Sequence, residues 1–257
     1  MSNRSKNIIY SAVLLLAMLV VYKFRQADQG PKLVQFNGKT MGPIVYNVSY
    51  FDHEGRNFKP QVDSILKVFN QSLNTYIPDS EISTFNRDSS FQFDLPFFKE
   101  AVETGIAIYK ETNGAYDPSI APLINTWGFG YVDNIQVDSA VIDSLKAISG
   151  MENLNMNEES LGKKDKRLQF DFNASAKGYG DDVDISMLKT YGIDNAFVEI
   201  GGEVAVSGRN IQRDTLWTVG VLDPNSTELN LKYHSIISLE NKGMATSGNY
   251  FNYQIID

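Results

Sequence analysis

The segment "DFNASAKGYGDDVD", Asp171 to Asp184, sets an aspartate, a run of small residues and one lysine between an apolar strand-like run and a helix-like run. A bend at Asn173 to Ala176, lined only by small side chains, leaves backbone carbonyls and amides open to a ligand, and the helix start at Lys177-Gly178 favours an anion. A carbonyl at such a bend suits Mg²⁺, a hard cation that takes oxygen donors. Lys177 adds a point charge for a phosphate or a ring oxygen. The same letters also fit a plain strand-to-helix turn carrying a surface lysine, because a glycine–lysine pair has low specificity.

Three further stretches carry chemistry-bearing residues. In "NGAYDPSIAPLINTWGFG", Pro118 pushes Asp117 out of the helical region, so a carboxylate projects from a loop, as recognition of a base edge or ribose requires. The alternative is a rigid loop capped by buried Trp127 and Phe129. "VEIGGEVAVSGRN" holds Glu199 and Glu203 around the Gly201-Gly202 pair. Two strands with a turn would bring one carboxylate inward, a functional candidate; a surface hairpin is the alternative. "MATSGNY" offers Thr246 and Ser247 as donors to phosphate or carbonyl, or simply ends a strand. Tyr76, in a Pro-Asp-Ser turn, is placed either to stack on a planar ring or to fill the core. Neither His53 nor His234 has a nearby acid and nucleophile arranged for a triad, and both read as structural.

These residues need a scaffold, and 257 residues with 42% hydrophobic content supply a sizeable core. The net charge of -8 leaves no basic field for a phosphate backbone, so a nucleic-acid partner is excluded on electrostatic grounds. With no cysteine, thiol catalysis, thiolate metal sites, disulfides and lipidation at an N-terminal Cys are all absent. "IVYNVSYFD" predicts a strand; "VDSILKVFNQSL" and "PFFKEAVETGIAIYKETNG" predict amphipathic helices, the second stopping at Asn113-Gly114. "LQFDF" predicts a strand, "SAKGYGDDVDISMLKTYG" a helix ending at Gly192, and "AFVEI", "EVAVSG", "LWTVGVLD" and "HSIISLE" short strands. Helices early and strands late predict an α+β fold with antiparallel sheet. No internal repeat or low-complexity tract is visible.

The N-terminus stands apart. Residues 1–25 put Arg4 and Lys6 before an apolar run from Ile8 to Tyr22, with Lys23 and Arg25 after it, and predict an uncleaved signal anchor. Residues 26–32 read as a polar linker and 33–257 as one domain. "MATSGNYFNYQIID" reads as a strand that stops in mid-pattern, the mark of a fragment of a longer domain.

Taken in order, "MGP" at Met41 to Pro43, "TYIPDSEISTFN", "GAYDPSIAPLINTWGFG", "DFNASAKGYG", "VEIGGEVAVSGRN", "WTVGVLDP" and "ATSGNY" resemble the ApbE family, the FAD:protein FMN transferases, from about Met41 to the last residue. The resemblance implies a T-fold-like α+β domain with flanking helices. It also implies an enzyme that binds FAD and Mg²⁺ and transfers FMN to a Thr or Ser hydroxyl of a target protein, releasing AMP. Carried onto this chain, it implies that Met41, Tyr76, Ala115, Tyr116, Asp117, Asp171 and Lys177 bind FAD and that the Ala174 carbonyl ligates Mg²⁺. Thr246 and Ser247 would line the flavin or phosphate site, and Gly201, Gly202 and Glu203 would shape the pocket. No residue is singled out as the catalytic base. The expected setting is the periplasmic face of a bacterial inner membrane, with a redox-complex subunit as acceptor. "MGP" replaces the commoner Met-Gly-Thr, and the family's later His-x-Ile-Asp-Pro and metal-site segments lie beyond Asp257. Poor transferase activity of the chain as given is therefore the expectation, with an FAD pyrophosphatase or a flavin-binding remnant as alternatives.

Overall fold

The computed structural model describes residues 3–27, 30–130, 138–226 and 230–248. In chain order these form α1 (Asn3–Ala27), β1 (Lys32–Thr40), β2 (Ile44–Asp52), α2 (Lys59–Leu73), α3 (Glu81–Arg87), β3 (Ser90–Gln92) and α4 (Pro96–Glu111). There follow α5 (Ala121–Thr126), α6 (Ser139–Lys146), β4 (Leu154–Met156), β5 (Ser160–Lys163), α7 (Ala176–Thr190), β6 (Ala196–Ile200), β7 (Glu203–Ser207), β8 (Trp217–Leu222), β9 (Tyr233–Leu239) and β10 (Lys242–Met244). The strand read over the last residues lies, from 249 to 257, outside the described residues.

The main sheet runs β1-β2-β6-β7-β10, with β3-β5-β4 and β8-β9 as smaller sheets, and every pairing within them is antiparallel. This is the α+β class expected. Period-two alternation sends Tyr46, Val48, Tyr50, Val198, Ile200 and Ala205 to one face, where α2 and α7 cover them. On the other face Val204 and Val206 meet Trp217 and Leu239 of the β8-β9 hairpin.

A second core lies between α2, α3, α4 and the segment 168–176, built around Phe69, Phe85, Phe98 and Phe170. Helix α2 serves both cores. Val62 and Leu66 belong to the sheet core, Phe69 and Leu73 to the helical one, and Ile65 packs against each.

Two expectations are corrected. "LQFDF" is not a strand: it is an extended segment with a single bridge from Gln169 to Ile120. Its central residue is paired by a side chain instead, because the Asn86 amide accepts from Phe170 N at 2.7 Å and donates to Phe170 O at 2.9 Å. Asn86→Ala would leave a buried N–H and C=O unpaired and should cost about 2–4 kcal/mol, read from the urea midpoint. The second correction concerns the N-terminus. α1 forms as a helix with exposed apolar side chains from Ile9 to Tyr22. Yet among the described residues no helix is long and apolar enough to cross a membrane, so the spanning anchor is not supported.

Candidate functional site

The cleft opens where the two cores meet, and the sequence explains how its walls come together. The hairpin turn between β1 and β2 places Met41 at φ 48°, an unusual conformation for a side-chain-bearing residue, and Gly42 follows at φ 83°. Together with Ile44, Asn70 and Asn74, this turn lines a lobe of about 350 Å³ whose opposite wall is Asn173, Ala176 and Lys177. Tyr76 closes the rim with 70% of its surface exposed, which favours a stacking ring over a core side chain. A second lobe of about 280 Å³ adjoins the first, sharing Leu73 and Ala176 and adding Tyr116, Ser175 and Tyr179. The start of α7 divides the two.

The bend before α7 is held by Asp171. Its carboxylate accepts from Asn173 N at 2.6 Å and from the Asn173 amide at 3.1 Å, and its own N–H donates to Pro118 O at 2.9 Å. Burial pushes the Asp171 carboxyl above the usual carboxylate range, against the pull of the Asn173 donors. The Tyr116 hydroxyl shares a hydrogen bond of 2.8 Å with Ser175 Oγ, so the 115–120 loop and the bend form one wall. No side chain caps α7 at Ser175, and past Ala176, whose N–H donates to Phe172 O at 2.7 Å, the first turn is available to an anion.

Asp117 is occupied differently from the expectation. Its Oδ1 accepts from Ser119 N at 2.9 Å and from Ser119 Oγ at 2.6 Å, so the carboxylate braces its own loop instead of projecting freely. Ala115 beside it is exposed. Of the capping aromatics expected there, Phe129 is exposed and not buried.

At the other end of the first lobe, Lys177 Nζ lies 2.6 Å from Glu203 Oε2 and donates to Gly201 O at 3.3 Å. Gly201 and Gly202 make the β6-β7 turn, so the two-strand reading of that segment holds and Glu203 is the carboxylate that faces inward. Thr246 and Ser247 follow β10, whose Met244 pairs with Val204, and are exposed near this end of the sheet without lining either lobe.

The Ala174 carbonyl lies in an exposed turn and accepts no backbone hydrogen bond. It is thus a free oxygen donor, but among the described residues no group of three or more acidic, His or Cys side chains could hold a metal. One carbonyl gives a hard cation a single protein ligand, short of the carboxylate-anchored octahedral set that Mg²⁺ prefers.

Two residues escaped the sequence reading. Asp181 and Asp184 are fully buried against the sheet, and none of their four carboxyl oxygens has a hydrogen-bond partner. Burial and the nearby Asp184, Glu199, Asp182 and Glu203 push Asp181 up to about 10. Burial, with Asp63, pushes Asp184 up to about 8. The signal was present in the spacing, since 181 and 184 fall on one helical face with Ile185 and Leu188.

The model of the ApbE family matches residues 41–257. The chain belongs to the ApbE family. The FAD:protein FMN transferase of Vibrio cholerae is 32% identical over 252 residues, 93% of this chain and 73% of its own. That of Haemophilus influenzae is 28% identical over 253 residues, 93% of this chain and 72% of its own. Among solved structures, the flavin transferase ApbE from Vibrio cholerae superposes with a TM-score of 0.73 at 31% identity, covering 88% of this chain and 74% of that one. The apo flavinyl transferase ApbE of Pseudomonas stutzeri gives 0.74 at 31% identity with the same coverage. The ApbE fold thus frames both lobes and the bend between them.

Proposed function

We propose that this ApbE-family chain transfers FMN from FAD to a Thr or Ser hydroxyl of a protein and releases AMP. The observation that carries the reading is the pair of adjoining lobes divided by an uncapped helix start with Lys177 beside it. A dinucleotide has that form, two planar ends joined by a pyrophosphate. On this reading Tyr76 stacks on the flavin ring above Met41, and Tyr116 bounds the adenosine lobe while Asp171 holds the bend behind it. The first turn of α7 and Lys177 hold the phosphates between them.

The chemistry asked of the residues is mainly positioning. The acceptor oxygen forms a new P–O bond to the FMN phosphorus while the P–O bond of the pyrophosphate breaks. AMP departs with the electron pair, and the hydroxyl proton passes to solvent. Mg²⁺, when bound beside the Ala174 carbonyl, supplies charge neutralisation at the phosphates. The resemblance further implies an acceptor subunit of a membrane redox complex and action on the periplasmic side of a bacterial inner membrane, which fractionation of cells tests directly.

The deciding experiment gives the whole chain FAD, with and without Mg²⁺, and follows AMP after a Thr-containing acceptor peptide is added. AMP that appears only with Mg²⁺ and acceptor, and slowly, is the expected result. AMP without acceptor would make the protein an FAD pyrophosphatase, and FAD retained without AMP would make it a flavin-binding protein. Failure to retain FAD at all would overturn the reading.

A further inference from the structure

Lys177 faces the larger lobe, but the structure that holds it there is the β6-β7 turn. Its contact with Glu203 is one of charge against charge, since the oxygen 2.6 Å away is buried and has no aligned hydrogen-bond donor. The Glu203 side chain is only 12% exposed, so solvent screens the pair weakly. The Gly201 carbonyl takes one N–H of the same ammonium. Gly201 has φ 57°, and a Cβ on it would lie 2.7 Å from Ile44 Cγ2 and 3.2 Å from Lys177 Cδ. Glycine is therefore what lets the lysine stem pass across the turn.

The turn is itself pinned. Gly202 N–H donates to Glu199 Oε1 at 2.7 Å, and the other Glu199 oxygen accepts from the Asn47 amide. An ammonium carries three donors; the Gly201 carbonyl takes one, and the charge of Glu203 holds the head on the side of the turn. What remains is left for the lobe.

We infer that Glu203 is a positioning residue: from the β6-β7 turn it fixes the Lys177 ammonium so that its remaining N–H faces an anionic, phosphate-bearing ligand in the lobe. Glu203 itself touches no ligand. The inference rests on the FAD reading only for the identity of that ligand.

Four full-length proteins test it: the parent, Glu203→Gln, Lys177→Met and the double variant. Glutamine keeps the size of the side chain and removes only its charge, and circular dichroism verifies that each variant folds. The first readout needs no ligand. Limited acetylation followed by peptide mass spectrometry should label Lys177 at least about 3-fold faster in Glu203→Gln, with Lys39 and Lys67 unchanged, because the ammonium has lost its counter-charge. The second readout is FAD affinity. Glu203→Gln should weaken it roughly 10-fold in the parent and leave it unchanged in the Lys177→Met background, since a pair acting as a unit is non-additive.

Equal labelling of Lys177 in parent and Glu203→Gln would overturn the inference. So would equal losses in both backgrounds, which would mean that Glu203 shapes the turn independently of the lysine, and so would tighter FAD binding by Glu203→Gln. If the parent binds no FAD, the labelling result still decides the positioning role, and the FAD reading is what fails.

Discussion

Replacing Asp181 by asparagine should make the protein more stable above neutral pH, and the gain should grow as pH rises. The carboxyl on α7 is unpartnered, and its full burial, with Asp184, Glu199, Asp182 and Glu203 nearby, pushes it up to about 10. In the unfolded chain it titrates near 3.8. Between those values the folded state holds a proton that the unfolded state has released, so stability falls as pH rises through that window. At pH 7 the difference is on the order of 2–4 kcal/mol, the upper end being the full gap between the two states. Near pH 4 the unfolded carboxyl is still about half protonated, so the variant should differ from the parent by less than about 1 kcal/mol. Asp184, pushed up to about 8, adds the same sign over a narrower window. Urea midpoints at pH 4, 7 and 9 would show a falling line for the parent and a flatter one for Asp181→Asn. Parallel lines would mean that Asp181 is ionised in the folded protein.

Lys177→Met should weaken FAD binding roughly 30- to 100-fold, the loss expected for about 2–3 kcal/mol of charged hydrogen bonding. Lys177 is the lysine of the lobe wall, and methionine keeps most of its apolar stem against the turn. Isothermal titration with FAD checks the figure. Unchanged affinity would show that the helix start alone holds the phosphates. Salt should also matter less to the variant than to the parent, because the partly exposed charge that salt screens has been removed.

Local periodicity made part of this architecture legible. Helices α2 and α4 and strand β2 follow from apolar spacings of three and four, or of two, and α4 has a matching stop signal in Asn113 at φ 52° and Gly114 at φ 81°. Strand β1 gave no such signal. It is an edge strand with polar Lys32, Gln35, Asn37 and Lys39 along it, and its pairing to β2 defines it more than its own letters do. The segment around Phe170 misled in the opposite direction, since its strand-like composition is served by Asn86 in place of a neighbouring strand.

The site followed the same division. The bend at Asn173–Ala176 could be read from its small residues, whereas the Pro-Asp-Ser turn left Tyr76 between rim and core and the glycine pair left open which of Glu199 and Glu203 turns inward. The bracing of Asp117 by Ser119 could not, because it depends on the loop closing on itself. Nor could the burial of Asp181 and Asp184 be read from residue type, since aspartate on a helix ordinarily faces water.

The helix shared by both cores has a kinetic meaning. The cleft walls are not two bodies on a hinge, because swinging them apart would pull either Val62 and Leu66 or Phe69 and Leu73 into water, at about 1.5–3 kcal/mol for each side chain. Entry and departure of a ligand fall to the rim, where the Tyr76 ring rearranges at the speed of an exposed side chain. The protein therefore behaves as a preformed socket, in which traffic is metered at the mouth while the walls stay still.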